Sequence, residues 1–387
     1  MPFLRASHCI DCLNLIQSLR EAVEFKDFSV KLIFQEHWED YKKVNPVREI
    51  ESKEVEKMLS CKGKERGCFE CYCKKCDRYE EIPFGCNSRI CSCCSKRYTD
   101  RWAEMLSEKI IPKIPHRHLT FSMPDILWNF IKENRDLQKI IMDASYQTIK
   151  DMFSFIAGKP IEPGVIAVLH PFGRDVVFKP HSHCIATEGG YVKDGRFVAI
   201  GQYINYHTFH LKWQLHLLNS LRNYIPQNII DYCFINYPKG FVAYARPERI
   251  YKRKDLIGYI GRYVRHPAIA NSRIIDYNGK GVTFYYEDHD KNLQFKTMEV
   301  FDFISAIIQH IPEKNQRLVR YYGSYSRKKI NILNKKFNQS TITDFSEGKI
   351  KKKRTFYCSI CHEELEILAY VRKPPDKNMS KIINWIE

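Results

Sequence analysis

The chain has 387 residues, 44% hydrophobic and 13% aromatic, enough apolar side chain for roughly two or three domain cores and too much for a disordered chain. Sixty-two Lys and Arg against 45 Asp and Glu leave a net charge of +17, which favours a polyanionic partner, nucleic acid first. No apolar run reaches the roughly 18 residues of a membrane span, the start Met1-Pro2-Phe3-Leu4-Arg5 lacks a secretion-signal pattern, and no phosphate-binding glycine loop occurs, so a cytoplasmic protein without nucleotide-driven chemistry is expected.

Residues 1–60 carry spaced apolar positions (Leu13, Ile16, Leu19, Val23; then Val55, Met58, Leu59) that predict two or three short helices. A cysteine-rich stretch follows. Of 15 cysteines, nine lie between Cys61 and Cys94, and in a reducing compartment that density reads as metal ligands rather than disulfides. The pairs Cys73/Cys76 and Cys91/Cys94, with fourteen residues between them, match a zinc module in which two CxxC knuckles supply four thiolates. Cys71, Cys86 and Cys93 are near enough to compete, and nine cysteines could hold a second ion. Lys74, Lys75, Arg78, Arg89, Lys96 and Arg97 decorate this module and would suit a phosphate backbone.

Beyond a helix predicted over 98–111, His118-Leu119-Thr120-Phe121-Ser122-Met123-Pro124 alternates like a strand, and a helical stretch runs to about Ala157. Val165 to His170 and the segment Phe178-Lys179-Pro180-His181-Ser182-His183-Cys184 read as two strands. Their connection is too short for a crossover helix, which makes them an antiparallel hairpin. A long helix is predicted from about Tyr206 to Tyr224. This mixture, with few alternating βαβ units, argues an α+β fold.

His181 and His183 project from the same face of their strand, and two adjacent imidazoles either share a hydrogen-bond network or hold a divalent metal. His116 and His118 have the same spacing, so the pattern alone does not choose. Leu256 to Val264 reads as a helix that sets Tyr259 and Tyr263 at i and i+4, on one face. They are either a stacked core pair or two phenols aimed at one site. Gly258 and Gly261 inside that helix cost roughly 1 kcal/mol each relative to alanine, as if something must approach the backbone closely.

Taken in order, these pieces resemble the two-tyrosine HUH rolling-circle transposases of insertion sequences, which carry an N-terminal zinc-binding domain. The matching segments are Cys86-Asn87-Ser88-Arg89-Ile90-Cys91-Ser92-Cys93-Cys94, the strand from His118 to Pro124, Leu169-His170-Pro171-Phe172-Gly173 leading to His181-Ser182-His183, then Tyr259-Ile260-Gly261-Arg262-Tyr263, His310-Ile311-Pro312 and Val319-Arg320-Tyr321-Tyr322-Gly323. The likeness covers about residues 60–325. It departs from the family at Ser182, where a hydrophobic residue separates the two histidines.

The resemblance implies an HUH-endonuclease-like antiparallel sheet flanked by helices, with the zinc module before it. The chain then divides into a helical N-terminal region (1–60), a zinc-binding module (61–112), a catalytic domain (113–325) and a basic C-terminal tail with a CxxC (326–387). It implies cleavage and rejoining of single-stranded DNA at transposon ends and target, in the nucleoid. His181, His183 and one further polar side chain would hold Mg²⁺ or Mn²⁺, and Tyr259 or Tyr263 would form a 5′-phosphotyrosine. A set of histidines only would shift the preference toward zinc. Tyr203, Tyr206 and Trp213, interleaved with basic residues, suit stacking on unpaired bases. Cys358/Cys361, preceded by the basic run Lys349 to Arg354, is half a zinc site that Cys9/Cys12 could complete. The same chemistry would serve a plasmid or phage replication initiator or a relaxase, and a non-catalytic zinc-finger DNA-binding protein is the alternative from another class.

Overall fold

A computed structural model describes residues 28–94, 114–201, 204–250, 268–288, 290, 292–326 and 355–371. Its central feature is an antiparallel sheet of five strands in the order β12-β4-β5-β3-β8. These strands are β3 (His116–Phe121), β4 (Gly164–Phe172), β5 (Phe178–Thr187), β8 (Ala243–Ala245) and β12 (Val319–Gly323). The tight connection after Phe172 makes β4 and β5 the hairpin expected from sequence. Their register pairs Ile166 with Ile185, Val168 with His183 and His170 with His181.

One face of the sheet is apolar. Leu119, Phe121, Val165, Ala167, Leu169, Cys184, Ala186, Ala243 and Ala245 alternate along its strands and join a core completed by two long helices. The first is α4 (Leu137–Ala157), preceded by α3 (Trp128–Glu133); the second is α5 (Tyr206–Leu221), followed by α6 (Gln227–Asn236). Helix α4 presents Ile141, Ala144, Ser145, Thr148, Ile149, Met152 and Phe153 at helical spacing, all buried. It stops at Gly158, whose left-handed φ of 65° lets its backbone N–H reach back to the last turn.

Ser182 belongs to this apolar face, turned away from His181 and His183 by the alternation of the strand. It is fully buried, and its hydroxyl lies 2.6 Å from that of Ser145 on α4. Ser145 already donates to the Ile141 carbonyl at 2.6 Å, so the shared hydrogen comes from Ser182. The departure from a hydrophobic residue is therefore compensated by one matched polar partner across the sheet–helix interface.

The segment Val319-Arg320-Tyr321-Tyr322-Gly323 forms β12, the strand bordering β4. Tyr322 stacks on Tyr146 of α4 at 4.8 Å and donates to Asp143 at 2.6 Å. Gly323, at φ 56°, passes so near the Pro163 carbonyl that any Cβ would collide with it. These residues fasten the sheet edge to α4.

A second core unites regions far apart in sequence. The N-terminal helices α1 (Val30–Val44) and α2 (Glu49–Leu59) pack with the β-meander β9 (Ile274–Tyr277), β10 (Gly281–Glu287), β11 (Leu293–Glu299) and helix α7 (Val300–Gln309). Trp38 of α1, Val55 of α2, Phe284 of β10 and Phe303 of α7 all lie in this core. The N-terminal helices thus share a core with residues that follow the strands of the five-stranded sheet in sequence. Helix α7 ends between two guanidiniums: Arg135 donates to the carbonyls of Gln309 and Ile311 at 3.0 and 2.8 Å, and Arg48 to that of Ile311 at 2.8 Å. Cations suit a helix C-terminus, where carbonyl dipoles converge.

Beside them His310 stacks on Phe172 of β4, with ring centroids 3.4 Å apart. Burial pushes the His310 imidazole down to about 3. Two small elements complete the description. The ribbon β6 (Gly189–Tyr191) and β7 (Phe197–Ala199) continues from β5, and β1 (Cys68–Cys73), β2 (Arg78–Pro83) and β13 (Glu366–Val371) form a separate three-stranded sheet.

Two outcomes follow for stability. Ser145→Ala should strand the buried Ser182 hydroxyl at a cost of roughly 1–3 kcal/mol, while the double variant Ser145→Ala, Ser182→Ala should recover much of it; denaturant midpoints test this, and strictly additive losses would contradict it. His310 stays neutral in the fold but takes up a proton on unfolding below about pH 6.5, so its contribution is complete above that pH and is lost as pH falls toward about 3. His310→Phe should therefore lower the slope of stability against pH in this window by about one proton.

Candidate metal centres

The face of the sheet opposite the α4/α5 core carries the histidines. Residues directly across an antiparallel ladder share a face, so the register that sets His170 opposite His181 brings it to His183 as well. The imidazole nitrogens of His170, His181 and His183 gather within 4.8 Å of one another, and all three residues are half-buried. His181 and His183 turn their Nε2 atoms toward each other at 3.1 Å. Nitrogen ligands about 2.1 Å from one cation would lie roughly 3.0–3.4 Å apart, so this spacing fits a shared ion.

The outer nitrogens have partners that suit the metal-binding tautomer. His181 Nδ1–H donates to the Lys179 carbonyl at 2.6 Å. His183 Nδ1 is 2.9 Å from His118 Nε2, and with its hydrogen on that bond both inward Nε2 lone pairs are available to a cation. Burial, then the neighbouring His170, His181 and His118, holds His183 far below the ordinary imidazole range, and the ring is neutral. A neutral imidazole is the form that ligates metal.

His170, which the sequence places in the Leu169-His170-Pro171 segment without marking it as a ligand, is the third imidazole of the group. The hairpin register was the signal that could have found it. The second histidine pair separates into two roles: His118 supports His183 from β3, while His116 is buried against the Tyr325 hydroxyl. At the end of the ladder Arg246 N donates to the His118 carbonyl at 2.9 Å, and Ile250 exchanges hydrogen bonds of 3.0 and 2.8 Å with His116. Arg249 and Arg117 both pair with Glu188, a buried carboxylate. Tyr259 and Tyr263 lie outside the described residues.

The cysteines separate into two groups, and here the structure corrects the expected four-thiolate set. Cys91 and Cys94 stand with Cys61 and Cys86; Cys73 and Cys76 stand with Cys358 and Cys361. Sulfurs bound at 2.3 Å around one tetrahedral zinc would be about 3.8 Å apart. In the first group Cys61–Cys94, Cys61–Cys91 and Cys86–Cys94 measure 3.6, 3.5 and 3.7 Å. Backbone N–H groups point at sulfur in the manner that stabilises thiolate: Cys86 N donates to Cys94 at 3.3 Å and Ser88 N to Cys86 at 3.3 Å. Hydrogen bonds from Cys61, Cys86 and Cys91 drive the Cys94 thiol strongly toward its ionised form. This donor set fits structural zinc.

The simple CxxC count failed because the chain reverses between the pairs, so each knuckle meets a partner from elsewhere. Cys61 ends the α2 region and Cys86 follows β2, and both are buried. Cys9 and Cys12 lie outside the described residues.

Other expected contacts are redistributed. Trp213 is fully buried and donates to the Ser122 carbonyl at 2.7 Å, so it is a core residue and not a stacking platform. Tyr206 remains accessible and lies over Tyr244 of β8 with ring planes 18° apart, and Tyr203 is outside the described residues. Lys74, Lys75 and Arg78 are paired with Glu366, Glu363 and Glu80 at 3.1, 3.4 and 3.7 Å, which offsets their charge toward a phosphate backbone.

Comparison with known proteins finds two family matches along the chain. Residues 33–123 match the family described as "Transposase zinc-binding domain", and residues 164–331 match the family described as "Putative transposase". The chain is 28% identical over 303 residues to the transposase for insertion sequence element IS801 of Pseudomonas savastanoi pv. phaseolicola, covering 72% of this chain and 70% of that one. It is 24% identical over 273 residues to the "Putative transposase y4qJ" of Sinorhizobium fredii, covering 65% and 68%. No solved structure matches. No helix among the described residues is long and apolar enough to cross a membrane.

If the first thiol group is one zinc site, Cys61→Ser and Cys94→Ser should each lower bound zinc by about one equivalent and expose residues 60–94 to proteolysis, because binding energy in such modules is folding energy. Cys68→Ser and Cys93→Ser, which change cysteines outside both groups, should leave zinc content unchanged.

Proposed function

Since the chain belongs to the IS91 family of insertion-sequence transposases with an N-terminal zinc-binding domain, we propose that it cuts and rejoins single-stranded DNA through a 5′-phosphotyrosine in rolling-circle transposition. The observation that carries this reading is the convergence of His170, His181 and His183 on the face of the sheet opposite the α4/α5 core. These three residues would hold a divalent cation, which when bound supplies Lewis-acid polarisation of the scissile phosphate. An all-imidazole set shifts the preference from Mg²⁺, which prefers oxygen donors, toward zinc and other transition ions.

The remaining chemistry belongs to the chain's own side chains. The phenol oxygen of Tyr259 or Tyr263 attacks the phosphorus and loses its proton, the P–O3′ bond breaks, and the departing 3′-oxygen takes up a proton. The phosphodiester energy is kept in the tyrosyl ester, so the reverse attack by a 3′-hydroxyl rejoins DNA without ATP. Ile250, beside His116, lies four strand positions from Thr120, the residue opposite His183. That span is about 13 Å, whereas six extended residues from Ile250 to Leu256 and the helical turn expected up to Tyr259 can together reach up to roughly 25 Å, so the covalent tether permits approach. Ion pairing of Arg117 and Arg249 with Glu188 fixes where this tether leaves the sheet.

Single-stranded substrate is supported by the accessible Tyr206–Tyr244 pair and the net +17 charge. Tyr244 stands opposite Thr120 on the histidine-bearing face, a position from which an unpaired base could stack near the metal. Such a protein would act at transposon ends and target in the cytoplasm, associated with the nucleoid.

Incubation with single-stranded oligonucleotides and Mn²⁺, followed by denaturing electrophoresis, tests the proposal. Tyr259→Phe and Tyr263→Phe should each keep some single-round cleavage or binding but lose complete transposition, the double variant should form no covalent adduct, and His181→Ala should abolish cleavage. A normal adduct yield from the double variant would exclude both tyrosines as nucleophiles.

A further inference from the structure

The second thiol group draws on both ends of the chain. Cys73 and Cys76 flank the turn between β1 and β2, and Cys358 and Cys361 flank a turn before β13. Cys76 and Cys358 are 282 positions apart, yet their sulfurs approach to 3.9 Å, and those of Cys73 and Cys361 to 3.5 Å. Both values fall near the edge of about 3.8 Å expected for a tetrahedral zinc thiolate site. Ile360 N points at Cys358 Sγ at 3.4 Å, the same N–H···S arrangement seen in the first group.

The backbone is built to match. Strand β13 pairs antiparallel with β1, from Cys68 opposite Val371 to Tyr72 opposite Glu366, so the C-terminal segment completes a three-stranded sheet begun by the N-terminal half. Glu80 on β2 accepts hydrogen bonds from Ser359 N at 3.2 Å and Ser359 Oγ at 3.1 Å, seating the C-terminal knuckle. Phe69 packs against Phe84 and Phe356, each at 5.0 Å.

These contacts are too few to hold the halves together alone. The buried core of this unit is Phe69, Cys71, Cys73, Cys358 and Leu365, with Ile82, Phe84, Phe356 and Ile367 only partly buried around it, far below what a free-standing domain needs. The cross-connecting pairs Lys74–Glu366 and Lys75–Glu363 are exposed, and such pairs contribute little. A small sheet with four converging thiols and almost no core is the signature of a unit that folds on metal.

We propose that Cys73, Cys76, Cys358 and Cys361 bind a second structural zinc, forming a ribbon split between the two ends of the chain. The match to the zinc-binding family ends at residue 123, so half of this site lies outside it. The ion acts as a clasp: it closes the chain on itself and anchors the segment following the basic run Lys349 to Arg354 to the N-terminal module.

Two measurements on the full-length protein test the clasp. Cys358→Ser, Cys361→Ser should lose about one equivalent of zinc relative to the unsubstituted protein, whereas Cys361→His, which preserves a Cys₃His donor set, should retain it. A protease site inserted between residues 330 and 350 gives a second readout without altering any ligand. After cleavage the C-terminal fragment should stay with the body of the protein in zinc-replete buffer and separate on chelation. Unchanged zinc content in the double serine variant, or a fragment that leaves while zinc is present, would overturn the proposal.

Discussion

The register of the β4/β5 hairpin is the constraint on which the rest depends. Because side chains alternate along a strand, a slip of one residue would send His181 and His183 into the apolar core and turn Ser182 and Cys184 outward. The register is held from both sides. Leu169, Ala167, Cys184 and Ala186 are buried against α4 and α5, and the Ser182–Ser145 hydrogen bond has no equivalent in a slipped pairing. Packing on one face thus sets the positions of ligands on the other.

The cysteine groups likewise join separate elements, Cys61 meeting Cys86, Cys91 and Cys94, and Cys73 and Cys76 meeting Cys358 and Cys361 from far along the chain. Cys61 and Cys91 sit in the core shared by α1, α2, the β9–β11 meander and α7. That core reaches the five-stranded sheet through Arg48 and Arg135 at the end of α7, and through His310 stacked on Phe172. Folding of the thiol module, docking of the N-terminal helices and support for β4 are therefore physically linked.

Much of this was legible in the sequence, and the failures have definite causes. The hairpin, the long helices and the paired histidines follow from local periodicity and turn chemistry, and so were readable from residues such as Val165 to His170 and His181 to His183. Pairing of cysteines was not, because CxxC spacing reports which thiols share a knuckle and says nothing about which knuckles meet. His170 required the register, a relation between two strands. Trp213 read as an exposed aromatic among basic residues, but tertiary burial decided its role. Tyr259 and Tyr263 are carried by resemblance and by chain reach.

The central claim is that three imidazoles from two adjacent strands form one divalent metal site. Pulsed electron paramagnetic resonance of Mn²⁺ bound to the zinc-loaded protein would test it most directly. The account predicts nitrogen couplings from histidine ligands that weaken when His170 is replaced by Gln. Bound Mn²⁺ without nitrogen coupling, or a spectrum indifferent to His170→Gln, would contradict it.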